Sequence, residues 1–232
     1  MRIWDIDPGF LNDKSLLGEH RELHGIVSIH VNGKKGYARH PETIRWKFAL
    51  TGLWFRHELL VREMGLRGFN HHSPLDPLGQ EIAWPDIFID PPHAQFLLLE
   101  EKYRDKSQGR IPLPKNMLEL WACHKYSVMA RDPECYRSMG PRVASGQISF
   151  EDLSLKLAIL LRTRPRSGRL VNALEHMWGY VSDKSHVHRI GLGPGLLFRE
   201  IQTLAIGQKV EYLCRSTALG ELGAWLQESQ NN

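Results

Sequence analysis

Within little more than one helical turn, Glu19-His20-Arg21-Glu22-Leu23-His24 gathers carboxylates, imidazoles and a guanidinium. Glu22 is a carboxylate that could stabilise developing positive charge or relay a proton, and Arg21 carries a planar fork of donors suited to phosphate. A solvated charged face that also exposes Glu19 accounts for the same residues. His20 and His24 stand at i, i+4, the spacing of a metal-binding pair on one helix face. No third ligand lies at a recognisable spacing, so no metal is expected, and a surface or core histidine pair is the plainer reading. His71-His72 and His186/His188 are unspecific. The loop Lys34-Lys35-Gly36-Tyr37-Ala38-Arg39 mixes cations with an aromatic ring, as a nucleic-acid backbone contact would, and a solvated loop explains it equally. Arg162, Arg164, Arg166 and Arg169 concentrate four guanidinium groups into a phosphate-binding patch or a solvated link between helices. His124, Lys125, Asn172, His176 and Tyr180 could line a polar pocket, a buried hydrogen-bonded network being the more ordinary explanation.

The elements that must position these groups are helices. Asp13 or Ser15 can cap a helix through residues 16–31, with Leu16, Leu17, Leu23, Ile26 and Val27 at helical spacing and Asn32-Gly33 as its stop. Pro41 opens a second helical stretch with a break at Gly52, in which Trp46, Trp54 and Phe55 read as core. Residues 70–92, rich in Pro, Asp and His, read as an ordered loop, and 94–106 as a further helix. Two prolines between Gly109 and Pro114 mark the best domain boundary. Beyond it every segment is helical, with starts at Asn116, at Asp132-Pro133, at Ser149 and after Pro194. No stretch alternates with period two, so the chain is expected to be mainly α.

Composition sets the outer limits. The 232 residues suffice for one large domain or two small ones, and 42% hydrophobic with 24% charged residues is ordinary for a globular chain. A net charge of +4 permits nucleic-acid binding without demonstrating it. No apolar run approaches the roughly 20 residues needed to cross a bilayer, and the opening MRIWDIDPGF lacks the order of a secretory signal. A cytoplasmic protein with no membrane partner is expected. Cys123, Cys135 and Cys214 fit neither a disulfide framework nor a zinc motif and read as reduced, mostly buried thiols.

Met1-Arg2-Ile3, then Glu19 to Leu23, then His30-Val31-Asn32-Gly33-Lys34, then Arg67-Gly68-Phe69-Asn70, with a weaker echo at Leu99-Glu100-Glu101-Lys102, together resemble the pyrimidine-dimer DNA glycosylases of the endonuclease V type over residues 1–105. The resemblance implies a glycosylase that is also an abasic-site lyase, acting through an imine formed by its N-terminal α-amine on damaged double-stranded DNA, without cofactor. An α-amine titrates near 7.7–8.0 and is partly neutral where an ordinary lysine is almost wholly protonated. The resemblance assigns Met1 as nucleophile, with retention expected because Arg2 is large, and Glu22 as the catalytic carboxylate. It assigns Arg2 and Arg21 to DNA contact. His20 and His24 could share that contact, and Lys34, Lys35 and Arg39 are candidates beside them. The family pattern has a histidine where this chain has Ser15, and an arginine where it has Gly25. Its aromatic, basic C-terminal tail is replaced by further chain. Those departures leave the lesion open: a dimer, another damaged base or a plain abasic site.

His124-Lys125-Tyr126, Met129-Ala130, Tyr136 and the run from Asn172 to Tyr180 resemble a bacterial domain family of unknown function, the YbgA type, also found fused to a thiouracil desulfidase domain. In such fusions the domain is expected to bind nucleic acid, with RNA a second candidate partner and Arg162, Arg164, Arg166 and Arg169 the candidate contacts. The expected organisation is an endonuclease V-like helical domain over 1–110, followed by an all-α helical domain over 111–232. The competing readings are a non-catalytic nucleic-acid-binding adaptor, and an RNA-modifying protein with its chemistry in the second half.

Overall fold

The computed structural model describes residues 1–185 and 191–228, which leaves His186 and His188 outside the described residues. Among the described residues there are eleven α-helices and no strand. They are α1 (Asp13–Asn32), α2 (Pro41–Arg45), α3 (Leu50–Leu66), α4 (Pro92–Lys102), α5 (Met117–Met129), α6 (Pro133–Ala144), α7 (Phe150–Leu161), α8 (Ser167–Trp178), α9 (Pro194–Gly207), α10 (Glu211–Cys214) and α11 (Ala218–Glu228). No helix among them is long and apolar enough to cross a membrane.

Local chemistry sets most helix ends. Asp132 accepts from the N–H groups of Glu134 and Cys135 ahead of Pro133 at the first helical position, and Ser149 accepts from Asp152 N–H. α1 is capped by Asn12, whose side chain accepts from Ser15 N–H, rather than by Asp13 or Ser15. It stops at Gly33, held at φ 61°. The break in the second stretch falls at residues 46–49, not at Gly52. There the Trp46 indole donates to Glu42 at 2.9 Å and the chain turns, leaving Phe48 89% exposed. Gly52 lies within α3, and its lack of a side chain makes room for the Ala83 carbonyl, which would lie 2.2 Å from a Cβ there. Trp46 and Phe55 are buried, as expected of core.

One apolar cluster runs from Ile3 through α1, α3 and α4 into α5, α6 and α7, and a second joins α5, α8, α9 and α11. α5 belongs to both, with Leu120, Trp121 and Val128 in the first and Tyr126, Met129 and Ala130 in the second, as suits a helix apolar on most of its circumference. Phe55 of α3 lies 4.1 Å, ring to ring, from Trp225 of α11, and Arg131, just past the end of α5, pairs with Glu221 of α11 at 2.8–2.9 Å. The segment around Gly109 and Ile111 is packed: Ile111 N–H donates to Gly9 O at 2.9 Å. Arg110 donates to both carboxylate oxygens of Glu63 and to the Cys214 and Ser216 carbonyls. Cys123 and Cys135 are buried, Cys214 partly so, and burial pushes the Cys123 thiol up to about 12.

Candidate active site and nucleic-acid interface

The N-terminal segment has no regular structure, so its backbone groups need partners from side chains. They find them in sequence. Arg2 N–H donates to Glu22 Oε2, Trp4 N–H to Glu19 Oε1 at 3.1 Å, and Asp5 N–H to Gln95 Oε1 at 2.8 Å. The Ile3 carbonyl accepts from Arg45 Nη2 at 3.0 Å and the Ile6 carbonyl from Arg56 Nη1 at 2.8 Å. Those side chains are themselves locked. Arg56 grips Glu19 through two bonds of 2.7 and 2.9 Å, and Arg45 holds Glu42 and Asp5. Asp5 also takes Gln95 Nε2 and Arg162 Nη2, each at 2.9 Å.

Glu19 is therefore not part of an exposed charged face. It is 2% exposed, and its partner Arg56 is 4% exposed. Burial pushes its carboxyl up, while the Arg56 guanidinium pulls it down. Glu22 lies one turn on, on the same flank of α1, and lines an open groove of about 300 Å³ with Arg2, Trp4, Lys14, Glu19 and Lys102. Arg2 pairs with Asp90 and lies 4.8 Å over the Trp4 ring, and Lys102 Nζ lies 6.0 Å from the same ring. Because Arg2 N–H is bonded to Glu22, the Met1 nitrogen is within roughly 6–7 Å of that carboxylate by backbone geometry alone. Arg21 is exposed on α1.

On another flank of α1, His20 and His24 do not stand as a pair. His57 of α3 and His71 of the following segment join them, and the four ligand nitrogens all lie within 4.8 Å of one another. Sequence spacing reveals no third ligand because His57 and His71 come from 33 and more residues away; the local i, i+4 spacing is the only signal. Burial first, then the three neighbouring imidazoles, lower His20 to about 4. Burial and crowding lower His24 and His71 as well.

The exposed basic loop holds Lys34, Lys35 and Arg39 along an open groove of about 980 Å³, with Tyr37 72% exposed and Lys47 beside it. Arg162 requires a correction. It is not a surface phosphate contact, because Asp5 and the Pro85 carbonyl hold it at 2.9 and 3.0 Å between the Trp84 and Phe88 rings. Arg164, Arg166 and Arg169 are exposed. His124 is buried, bonded to the Leu120 carbonyl and stacked on Phe10, whereas Asn172, His176 and Tyr180 are exposed. These residues line no common polar pocket, and of them only His124 has the burial that a buried network requires; Tyr180 stacks on Tyr212.

The described residues thus form an all-helical arrangement whose N-terminal segment runs beside a groove lined by Glu19, Glu22, Arg2, Lys14 and Lys102. Residues 1–77, which hold that terminus, Glu22 and the four histidines, match the pyrimidine dimer DNA glycosylase family. Residues 125–188 match a family described as a protein of unknown function, DUF1722, inside the stretch that the sequence assigns to a domain of unknown function. No curated protein and no solved structure matches the chain.

Proposed function

We propose that the protein is a cytoplasmic DNA-repair glycosylase and abasic-site lyase, with the Met1 α-amine as nucleophile and Glu22 as the catalytic carboxylate. The observation that supports this reading is the side-chain cradle along residues 2–6, which begins with Arg2 N–H, one residue after the proposed nucleophile, on Glu22. A nucleophile on a free chain end gains nothing from proximity unless that end is ordered, and ordering it in advance is what turns nearness into rate. The neutral amine attacks C1′ of the damaged nucleotide, the base leaves with its bonding pair, and the ring-opened sugar becomes an imine. Loss of a C2′ proton then expels the 3′ phosphate. Glu22 stabilises the cationic sugar and shuttles protons. Reaching C1′ requires the base to leave the stack, at a cost that is smallest at damaged sites.

Arg2, Arg21, Lys34, Lys35 and Arg39 are the proposed contacts to damaged duplex, whereas His20 and His24, which the sequence offers beside them, turn their ring nitrogens toward each other and toward His57 and His71. Arg164, Arg166 and Arg169 are the proposed contacts of the second unit, residues 111–232, to DNA or RNA. Borohydride reduction with an abasic or dimer-containing duplex is expected to leave a covalent adduct on the Met1 peptide. Glu22→Gln is expected to cripple turnover while DNA binding persists. An intact Met1 peptide without adduct, in a chain that still binds DNA, would instead identify a non-catalytic adaptor.

A further inference from the structure

The four histidines described above come from three separate places: two from α1, one from α3 and one from the irregular segment that follows. His20 Nε2 lies 3.3 Å from His24 Nε2 and 3.1 Å from His71 Nε2. One imidazole nitrogen carries either a single proton or a single lone pair, so two such contacts to the same atom cannot both be ordinary hydrogen bonds. His57 is fully buried, and its Nε2 has no hydrogen-bond partner. A buried nitrogen left in that state calls for an explanation. A shared cation supplies one for both observations.

The dimensions agree. A tetrahedral ion with nitrogen ligands at about 2.0–2.1 Å places those nitrogens roughly 3.3 Å apart and the ring centroids roughly 5 Å apart. Here two nitrogen separations are 3.3 and 3.1 Å, all four nitrogens lie within 4.8 Å of one another, so that a small inward shift of the wider pairs completes the tetrahedron, and five centroid separations lie between 4.7 and 5.1 Å. An outer nitrogen is also held, as is usual for a ligating imidazole. His57 Nδ1 bonds Glu58 Oε1 at 2.9 Å, and the Ser73 backbone lies beside both His24 and His71.

We propose that His20, His24, His57 and His71 together bind one divalent transition-metal ion of the zinc class. Four protein ligands leave no open position, so the site is structural: it ties the irregular segment after α3 to α1 and α3. That segment goes on to supply the Pro85 and Ile87 carbonyls and Asp90, which hold Arg162, Arg45 and Arg2 around the N-terminus. The inference does not rest on the glycosylase reading and is tested without substrate.

The full chain, free of any affinity tag, is stripped with a chelator and titrated with Zn²⁺ against a competing indicator, and in parallel with Co²⁺ as a spectroscopic probe. One ion per chain is expected, with the strong visible bands of tetrahedral cobalt. His71→Gln, on the partly exposed segment, should weaken zinc binding by at least roughly 100-fold, and Glu58→Gln by roughly 10–100-fold. His176→Gln should change nothing. Circular dichroism confirms that each variant is folded, and His71→Gln with Glu58→Gln decide the matter where the buried His57 does not tolerate replacement. Zinc binding that is absent from the folded parent chain, or unchanged in His71→Gln, overturns the proposal.

Discussion

Asp7 offers a quantitative handle on the wall behind the N-terminal cradle. It is buried and accepts a hydrogen bond from Gly9 N–H at 2.8 Å. Burial, with the Glu63 carboxylate as second cause, raises its pKa from 3.8 to about 7, against the opposing pull of Gly9 N–H and Arg110. The folded chain thus keeps a proton that the unfolded chain releases near 3.8. Between those two values the native state binds more protons, so stability falls as pH rises, by about 1.4 kcal/mol for each pH unit. Over the interval from 3.8 to about 7 the loss amounts to roughly 4 kcal/mol at most. Asp7→Asn keeps the acceptor oxygen and caps equally well, but has no proton to lose. Urea unfolding of both proteins between about pH 5 and pH 8 is the assay. The variant should be the more stable by several kcal/mol at the alkaline end, with the gap closing steadily toward the acidic end. A difference that stays flat across pH, or that widens toward acid, would refute the reasoning that burial decides where this proton sits.

Four further outcomes follow from the same geometry. Glu19→Gln leaves the Arg56 guanidinium buried without its counter-charge, so unfolding should show a loss of roughly 3–5 kcal/mol. Replacing Lys34, Lys35 and Arg39 together with alanine should weaken duplex binding, read by fluorescence anisotropy. The slope of log affinity against log salt should flatten by about 0.9 for every phosphate that is no longer neutralised. Arg162→Ala should lower the melting temperature and leave that slope alone, because its guanidinium faces Asp5 and Pro85. The double change of Arg166 and Arg169 to alanine should do the reverse.

What the sequence made legible was decided within a few residues of itself. Asp132-Pro133 and Ser149 start helices because one side-chain oxygen reaches N–H groups two or three residues on, and Gly33 ends α1 because it takes a positive φ cheaply. The cap of α1 slipped only from Asp13 or Ser15 to Asn12, a choice among three neighbouring polar groups that the local pattern does not rank. The second helical stretch broke at Trp46 rather than Gly52 for a different reason. Gly52 is small because the Ala83 carbonyl, 31 residues away in the chain, passes over it, not because the helix yields there.

The groups that matter most for function have long-range partners, and this is why spacing misread them. Glu19 sits one residue from an exposed-looking run of charge, yet Arg56 reaches it from α3 and draws it into the core. Arg162 looked like one of four equivalent guanidinium groups until Asp5, 157 residues earlier, took it. Both are charges buried with a counter-charge, and periodicity counts such positions as solvent-facing because it scores apolarity alone. The histidines make the same point in reverse. His20 and His24 displayed half of a coordination shell in plain view, and what their spacing could not display was that α3 and the segment after it deliver the other half to the same flank of α1. Partner residues scattered this widely meet only once the helices have packed, so the cradle and the imidazole cluster are properties of the folded state. The packing of α3 against α1 is what brings Arg56 to Glu19 and His57 to His20 and His24.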